Sequence, residues 1–109
     1  IKQKQRAMIT QGMMNAVGDA TVVITNPTHI AVAIKYEDGQ NNAPKLVAKG
    51  IDHLAIRIKE KAKENDVPII ENKPLARMIY KEVELDREIP QEMYQAVAEI
   101  LVAIYKMKK

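Results

Sequence analysis

The stretch Thr21-Val22-Val23-Ile24-Thr25-Asn26-Pro27-Thr28-His29-Ile30-Ala31-Val32-Ala33-Ile34-Lys35-Tyr36 decides the fold. Thr21 to Thr25 is a β-branched run of strand length, and Ile30 to Tyr36 is a second, apolar run. Neither alternates apolar with polar residues at its centre. Each strand is therefore expected to be buried on both faces, which requires a layer above and a layer below the sheet. Asn26-Pro27 stops the first run, because proline has no N–H for a ladder and restricts the residue before it. The two strands are expected to be neighbours, joined by a tight, exposed connection over Asn26 to His29.

Upstream, residues 1–17 read as a helix, with Ala7, Met8, Met13, Met14 and Val17 at helical spacings and Gly18-Asp19 as its break. Downstream, Glu37 to Pro44 is a loop by composition, carrying Asp38-Gly39 and Asn41-Asn42. Lys45 to Lys49 reads as a third strand ended by Gly50. Ile51, Leu54, Ala55, Ile58 and Ala62 then form one apolar stripe of a helix. Arg57, Lys59, Glu60, Lys61, Lys63 and Glu64 fill its other faces, and Asn65-Asp66 ends it. Val67 to Ile70 is a short strand whose Pro68 belongs at a strand start or edge. Asn72-Lys73-Pro74 opens a further helix, proline being tolerated in a first turn, with Leu75, Met78 and Ile79 as its buried face. A last helix starts at Pro90 with Met93, Val97, Ile100, Leu101 and Ile104 as its stripe. The expected fold is α/β: a small single-domain sandwich, a central sheet of about four strands packed by helices, preceded by an N-terminal linker helix.

Composition narrows the chemistry. The chain has 109 residues, 47% hydrophobic and 28% charged, which is one globular domain and not a disordered tail. Without cysteine there is no disulfide, thiolate zinc site, iron–sulfur cluster or cysteine nucleophile, and two histidines, His29 and His53, exclude an all-histidine metal site. The longest apolar runs, such as Ile30 to Ile34, fall far short of the roughly 20 residues a bilayer span needs. Because the first residue is Ile1 and not Met, the chain is expected to be a piece of a longer protein. The net charge is +3, yet Lys2, Lys4, Arg6, Lys106, Lys108 and Lys109 sit at the two ends and leave the body at −3. A nucleic-acid-binding domain is the competing class. It would need Lys35, Lys45, Lys49, Arg57 and Lys59 to converge on one face, and without Phe or Trp it has almost no stacking platform. A turnover enzyme on diffusible substrates lacks a metal cluster, a phosphate-binding glycine loop or triad spacing. The acids Glu82, Glu84, Asp86, Glu88 and Glu92 read as a solvated face, or alternatively as a recruiter of a basic partner.

Asn26-Pro27-Thr28-His29 is the chemically pointed segment. Its middle proline disqualifies it as a glycosylation sequon. Ordinary asparagine damage begins with attack by the next backbone nitrogen, and Pro27 has no N–H to lose. The alternative is attack by the Asn26 side-chain nitrogen on its own backbone carbonyl, which closes a succinimide and expels the Pro27 nitrogen. His29 is the right kind of group to shuttle the protons, since imidazole titrates near neutrality, and Thr28 can hold the turn. Bringing an amide scission from years to minutes takes a factor of about 10⁵–10⁶, or about 7–8 kcal/mol. A positioned acid–base group supplies about 10²–10⁴ of that, so alignment within the turn must supply the rest. The plainer reading is that these four residues only turn the chain between two strands. His53 reads as structural, beside the 51–65 stripe. Arg77 reads as either a salt bridge or a partner contact.

Thr25-Asn26-Pro27-Thr28-His29 with its flanking apolar runs resembles the self-cleaving loop of the type III export switch family. The match continues through Ala43-Pro44-Lys45-Leu46-Val47-Ala48-Lys49-Gly50 and Asn65-Asp66-Val67-Pro68-Ile69-Ile70-Glu71-Asn72. It ends with Pro74-Leu75-Ala76-Arg77 and Ile89-Pro90 to Ala96-Val97-Ala98-Glu99. It covers about residues 8–105 and leans to the flagellar branch, with the injectisome branch as the alternative. The resemblance implies a single-turnover cut between Asn26 and Pro27 by Asn26, Pro27, Thr28 and His29, without cofactor or metal. It implies two fragments that stay associated and a switch from rod-and-hook-type to filament-type export substrates. It also implies that residues 1–18 lead from membrane helices to a switch domain of residues 19–109, on the cytoplasmic face of the bacterial inner membrane. The implied partners are the other export-gate component, the hook-length ruler and export substrates, with no nucleic acid.

Overall fold

In the computed structural model of the chain, β1 (Val22–Asn26) and β2 (Ile30–Lys35) pair antiparallel, Val22 opposite Ile34 and Asn26 opposite Ile30. The structure describes residues 2–27, 29–37 and 43–107, with side chains from Thr10 onward. β3 (Lys45–Ile51) pairs antiparallel with β2, and β4 (Ile69–Glu71) pairs parallel with β1, giving the order β3-β2-β1-β4. β1 and β2 are thus the inner strands, which is why their apolar centres do not alternate with polar residues.

The sheet divides two cores by strand periodicity. Val22, Ile24, Val32, Ile34 and Leu46 pack against α3 (Lys73–Glu82), α4 (Tyr94–Met107) and the Val83–Met93 connection. Val23, Ala31, Ala33 and Ala48 face α1 (Lys2–Gly18) and α2 (Asp52–Glu64). Large side chains fill the first face, whereas the alanines of the second let α2 lie close to the strands. The last turns of α1 bury Met13, Met14 and Val17 in this second core. The side chains of Ala7 and Met8, and residues 38–42 of the expected loop, lie outside the described residues. Among the described residues no helix is long and apolar enough to cross a membrane.

Four details depart from the sequence reading. β3 runs through Gly50 to Ile51, whose backbone pairs with Ile30; α2 starts only at Asp52, where a φ of 50° turns the chain off the sheet. Ile51 is accordingly exposed, and the stripe that α2 buries is Ala55, Ile58 and Ala62. In α3 the buried residues are Leu75, Ala76 and Ile79, while Met78 faces outward. After Pro90 a single 3-10 turn (Gln91–Met93) precedes α4. Pro68 comes just before the edge strand β4, where its carbonyl accepts the Val23 N–H at 2.9 Å. Asn72 caps α3, its Oδ1 accepting the Leu75 N–H at 3.2 Å, with Pro74 in the first turn.

Candidate functional site

The Asn26–His29 turn lies at the end of the sheet where β1, β3 and β4 finish and β2 begins. α2 and α3 both start at this end, from Asp52 and from Lys73. Their positive dipole ends are therefore turned toward the same region.

The turn is fixed from several sides. The backbone N–H of His29 donates to the carbonyl of Asn26 at 2.9 Å, closing a four-residue turn with proline at the position whose fixed φ favours it. The Asp52 N–H donates to the carbonyl of His29 at 2.8 Å. The Asn72 N–H donates to the carbonyl of Thr25 at 2.9 Å, fixing the residue before Asn26. Finally, Lys59 Nζ reaches from α2 to the carbonyl of Pro27 at 2.6 Å. The peptide between Asn26 and Pro27 is thus held at its own carbonyl and at the next one along.

Asn26 and Pro27 are half-buried, whereas His29 is exposed; Thr28 lies outside the described residues. The His29 imidazole leans toward α2, with Nδ1 3.9 Å from Asp52 Oδ1. Both side chains are mostly solvated, at 68% and 76% exposure, so this ion pair adds little to stability. What meets the Asn26 carbonyl is the His29 backbone, which sequence reasoning did not assign. Reasoning from sequence placed Lys59 only off the apolar stripe of its helix and among the cations a nucleic-acid groove would need. Its position four residues after the buried Ala55 places it at the edge of the apolar stripe, and that spacing was the available signal.

The other sequence candidates fall elsewhere. His53 is exposed on α2 and packs into neither core. Arg77 is exposed, as are Glu82, Glu84, Asp86, Glu88 and Glu92. The five cations a nucleic-acid groove would need do not share a face. Lys49 donates to the carbonyls of Tyr80 and Val83 at 3.1 and 2.9 Å on the α3 side, with its ammonium 5.2 Å from the Tyr80 ring centre. Arg57 and Lys59 belong to α2, on the opposite side of the sheet. Lys35 and Lys45 sit at the far end of the sheet, in a cleft shared with Glu37, Asp86 and Glu88.

Comparison with known proteins gives a consistent picture. The FlhB HrpN YscU SpaS Family matches residues 1–104. The flagellar biosynthetic protein FlhB of Bacillus subtilis (strain 168) is 51% identical over 109 residues, which are all of this chain but 30% of that protein. Among solved structures, the cytoplasmic domain of FlhB from Shewanella putrefaciens superposes with a TM-score of 0.86 at 38% identity, covering 91% of this chain and 76% of that one. The C-terminal domain of an asparagine-to-alanine variant of EscU superposes with a TM-score of 0.80 at 32% identity, covering 84% of this chain and 92% of that one.

Proposed function

Because this chain belongs to the FlhB HrpN YscU SpaS family, we propose that it is the cytoplasmic domain of a flagellar type III export component and cuts itself once, between Asn26 and Pro27. The observation that carries the chemistry is the 2.9 Å hydrogen bond from the His29 N–H to the Asn26 carbonyl oxygen. In the reaction, Asn26 Nδ2 attacks the Asn26 backbone carbonyl carbon, and a C–N bond forms as a five-membered ring. Negative charge develops on the carbonyl oxygen, where the His29 N–H already sits. A fixed donor at that oxygen stabilises the transition state without reorganisation. The ring then expels the Pro27 nitrogen. Nδ2 gives up one proton and the proline nitrogen takes one, leaving a cyclic imide on Asn26 and a free prolyl amine. Water opens the imide to a carboxylate.

The His29 imidazole is exposed on the same turn and serves as an accelerating proton carrier, while Asn26 and Pro27 are the reacting residues. Thr28 would help hold the turn through its hydroxyl or backbone. No cofactor or metal enters these steps. Strand pairing keeps the products together, since residues 1–26 retain β1 between β2 and β4. Residues 1–18 would connect this domain to membrane helices of the full-length protein, placing residues 19–109 at the cytoplasmic face of the inner membrane. Cleavage there would let the apparatus pass from rod-and-hook-type to filament-type substrates, with the other gate component and the hook-length ruler as partners. The flagellar branch is favoured over the injectisome branch by the higher identity to FlhB than to EscU.

The experiment is to place Asn26→Ala in the full-length protein in cells and fractionate the secreted proteins. Continued secretion of hook-type proteins with loss of filament-type secretion is the expected result. Unchanged filament-type secretion would overturn the switching role.

A further inference from the structure

We propose that Lys59 is a positioning residue for the Asn26–Pro27 cut, clamping the leaving-group side of the turn through the Pro27 carbonyl. This rests on the cleavage reading above. Lys59 Nζ lies 2.6 Å from that carbonyl oxygen, 32 residues away in sequence. A short bond from a charged donor is among the stronger hydrogen bonds available to a carbonyl. The lysine is half-buried, on the helix face it shares at i−4 and i+3 with the buried Ala55 and Ala62, and its head meets the turn. Its helix neighbours Lys61 and Lys63 have no such contact among the described residues.

The geometry suits the chemistry because ring closure needs two parts of one turn to hold still. The electrophilic carbonyl of Asn26 is held by the His29 N–H. The residue that must leave, Pro27, is held by Lys59. As the Asn26 carbonyl carbon becomes tetrahedral, the proline ring has to swing relative to Asn26. Fixing the Pro27 carbonyl limits the conformations the turn can take and keeps the Asn26 side chain opposite a single orientation of the peptide. Alignment of this kind supplies rate without any proton transfer by Lys59 itself. The anchor is independent of the sheet, because it comes from the third turn of α2 and not from a neighbouring strand.

The test is a time course of cleavage after cell-free synthesis of the whole 109-residue chain, quenched in denaturant and read by intact mass. Lys59→Met keeps the apolar stem and removes the donor; Lys59→Arg restores a charged donor. Lys61→Met removes a cation from the same helix without touching the turn. Unfolding midpoints of each variant in an Asn26→Ala background show whether the chain still folds. Lys59→Met is expected to slow cleavage about tenfold with Lys59→Arg recovering most of the rate and Lys61→Met leaving it unchanged. Cleavage of Lys59→Met at the wild-type rate would overturn the proposal. So would an equal slowing in Lys59→Arg and Lys59→Met, or one that tracks the unfolding midpoint across all three variants. An uncut wild-type chain would remove the cleavage reading and this role together, whereas a cut wild type beside an unimpaired Lys59→Met would remove this role alone.

Discussion

Gly50→Ala should destabilise the domain and loosen the turn, although the site is a strand and alanine's backbone conformation is permitted there. A Cβ on Gly50 would lie 2.6 Å from Cγ of Leu54 and 2.9 Å from both its Cβ and its Cδ2. Ordinary contact begins near 3.4 Å. Rotating the leucine side chain relieves Cγ and Cδ2, but Leu54 Cβ is fixed by the first turn of α2. The helix start must therefore retreat from β3 by about half an ångström, the shortfall at that atom. Overpacking of this kind costs about 1–3 kcal/mol, against about 0.4–1 kcal/mol returned through the less flexible unfolded chain. The net loss is of order 1–2 kcal/mol, or about 0.5–1 M in a urea midpoint for a chain of this size. Urea unfolding of the uncut Asn26→Ala form, with and without Gly50→Ala, measures it on a single chain. Pairing Gly50→Ala with Leu54→Ala should leave most of the loss in place, since alanine keeps the Cβ that forces the helix start back. Asp52 donates to the His29 carbonyl two residues beyond Gly50, so the same retreat should slow cleavage. A Gly50→Ala domain as stable as its parent would refute the packing argument.

Two further outcomes follow from the same contacts. Asn72→Ala removes the side-chain cap on α3 and should cost about 1 kcal/mol of stability, read as a lowered urea midpoint. After the cut, residues 1–26 and 27–109 should run as one species on gel filtration and part only in denaturant. Met13, Met14, Val17, Val22, Val23 and Ile24 are all buried, and each would lose roughly 1.5–3 kcal/mol on exposure; a free N-terminal fragment in native buffer would contradict this.

The inner pair of strands was legible because their apolar runs do not alternate, and Asn26-Pro27 marked where the first must end. The neighbouring positions of β1 and β2 followed from the shortness of the connection. The α/β class with about four strands was likewise readable, as were Asn72 and Pro74 at the start of α3. Ile51 misled because it falls at a helical spacing from Leu54, Ala55 and Ile58, yet its backbone is committed to Ile30 across the sheet. Met78 misled because side-chain size does not fix a helix's rotation; the small Ala76 lets α3 sit close to the sheet instead. At the site, Asn26 and Pro27 could be singled out because the chemistry depends on adjacent residues. For Lys59 the sequence offered only its place at the edge of the α2 stripe; the anchor itself depends on how α2 packs over the sheet, a contact between residues 32 apart in sequence.

The central claim is tested most directly by a denaturing intact-mass spectrum of the freshly purified domain beside its Asn26→Ala variant. Self-cleavage predicts two masses from the native sequence, those of residues 1–26 and 27–109, and one intact mass from the variant. A single uncut mass from both after prolonged incubation would contradict it, and would leave Asn26 to His29 as a turn between two strands.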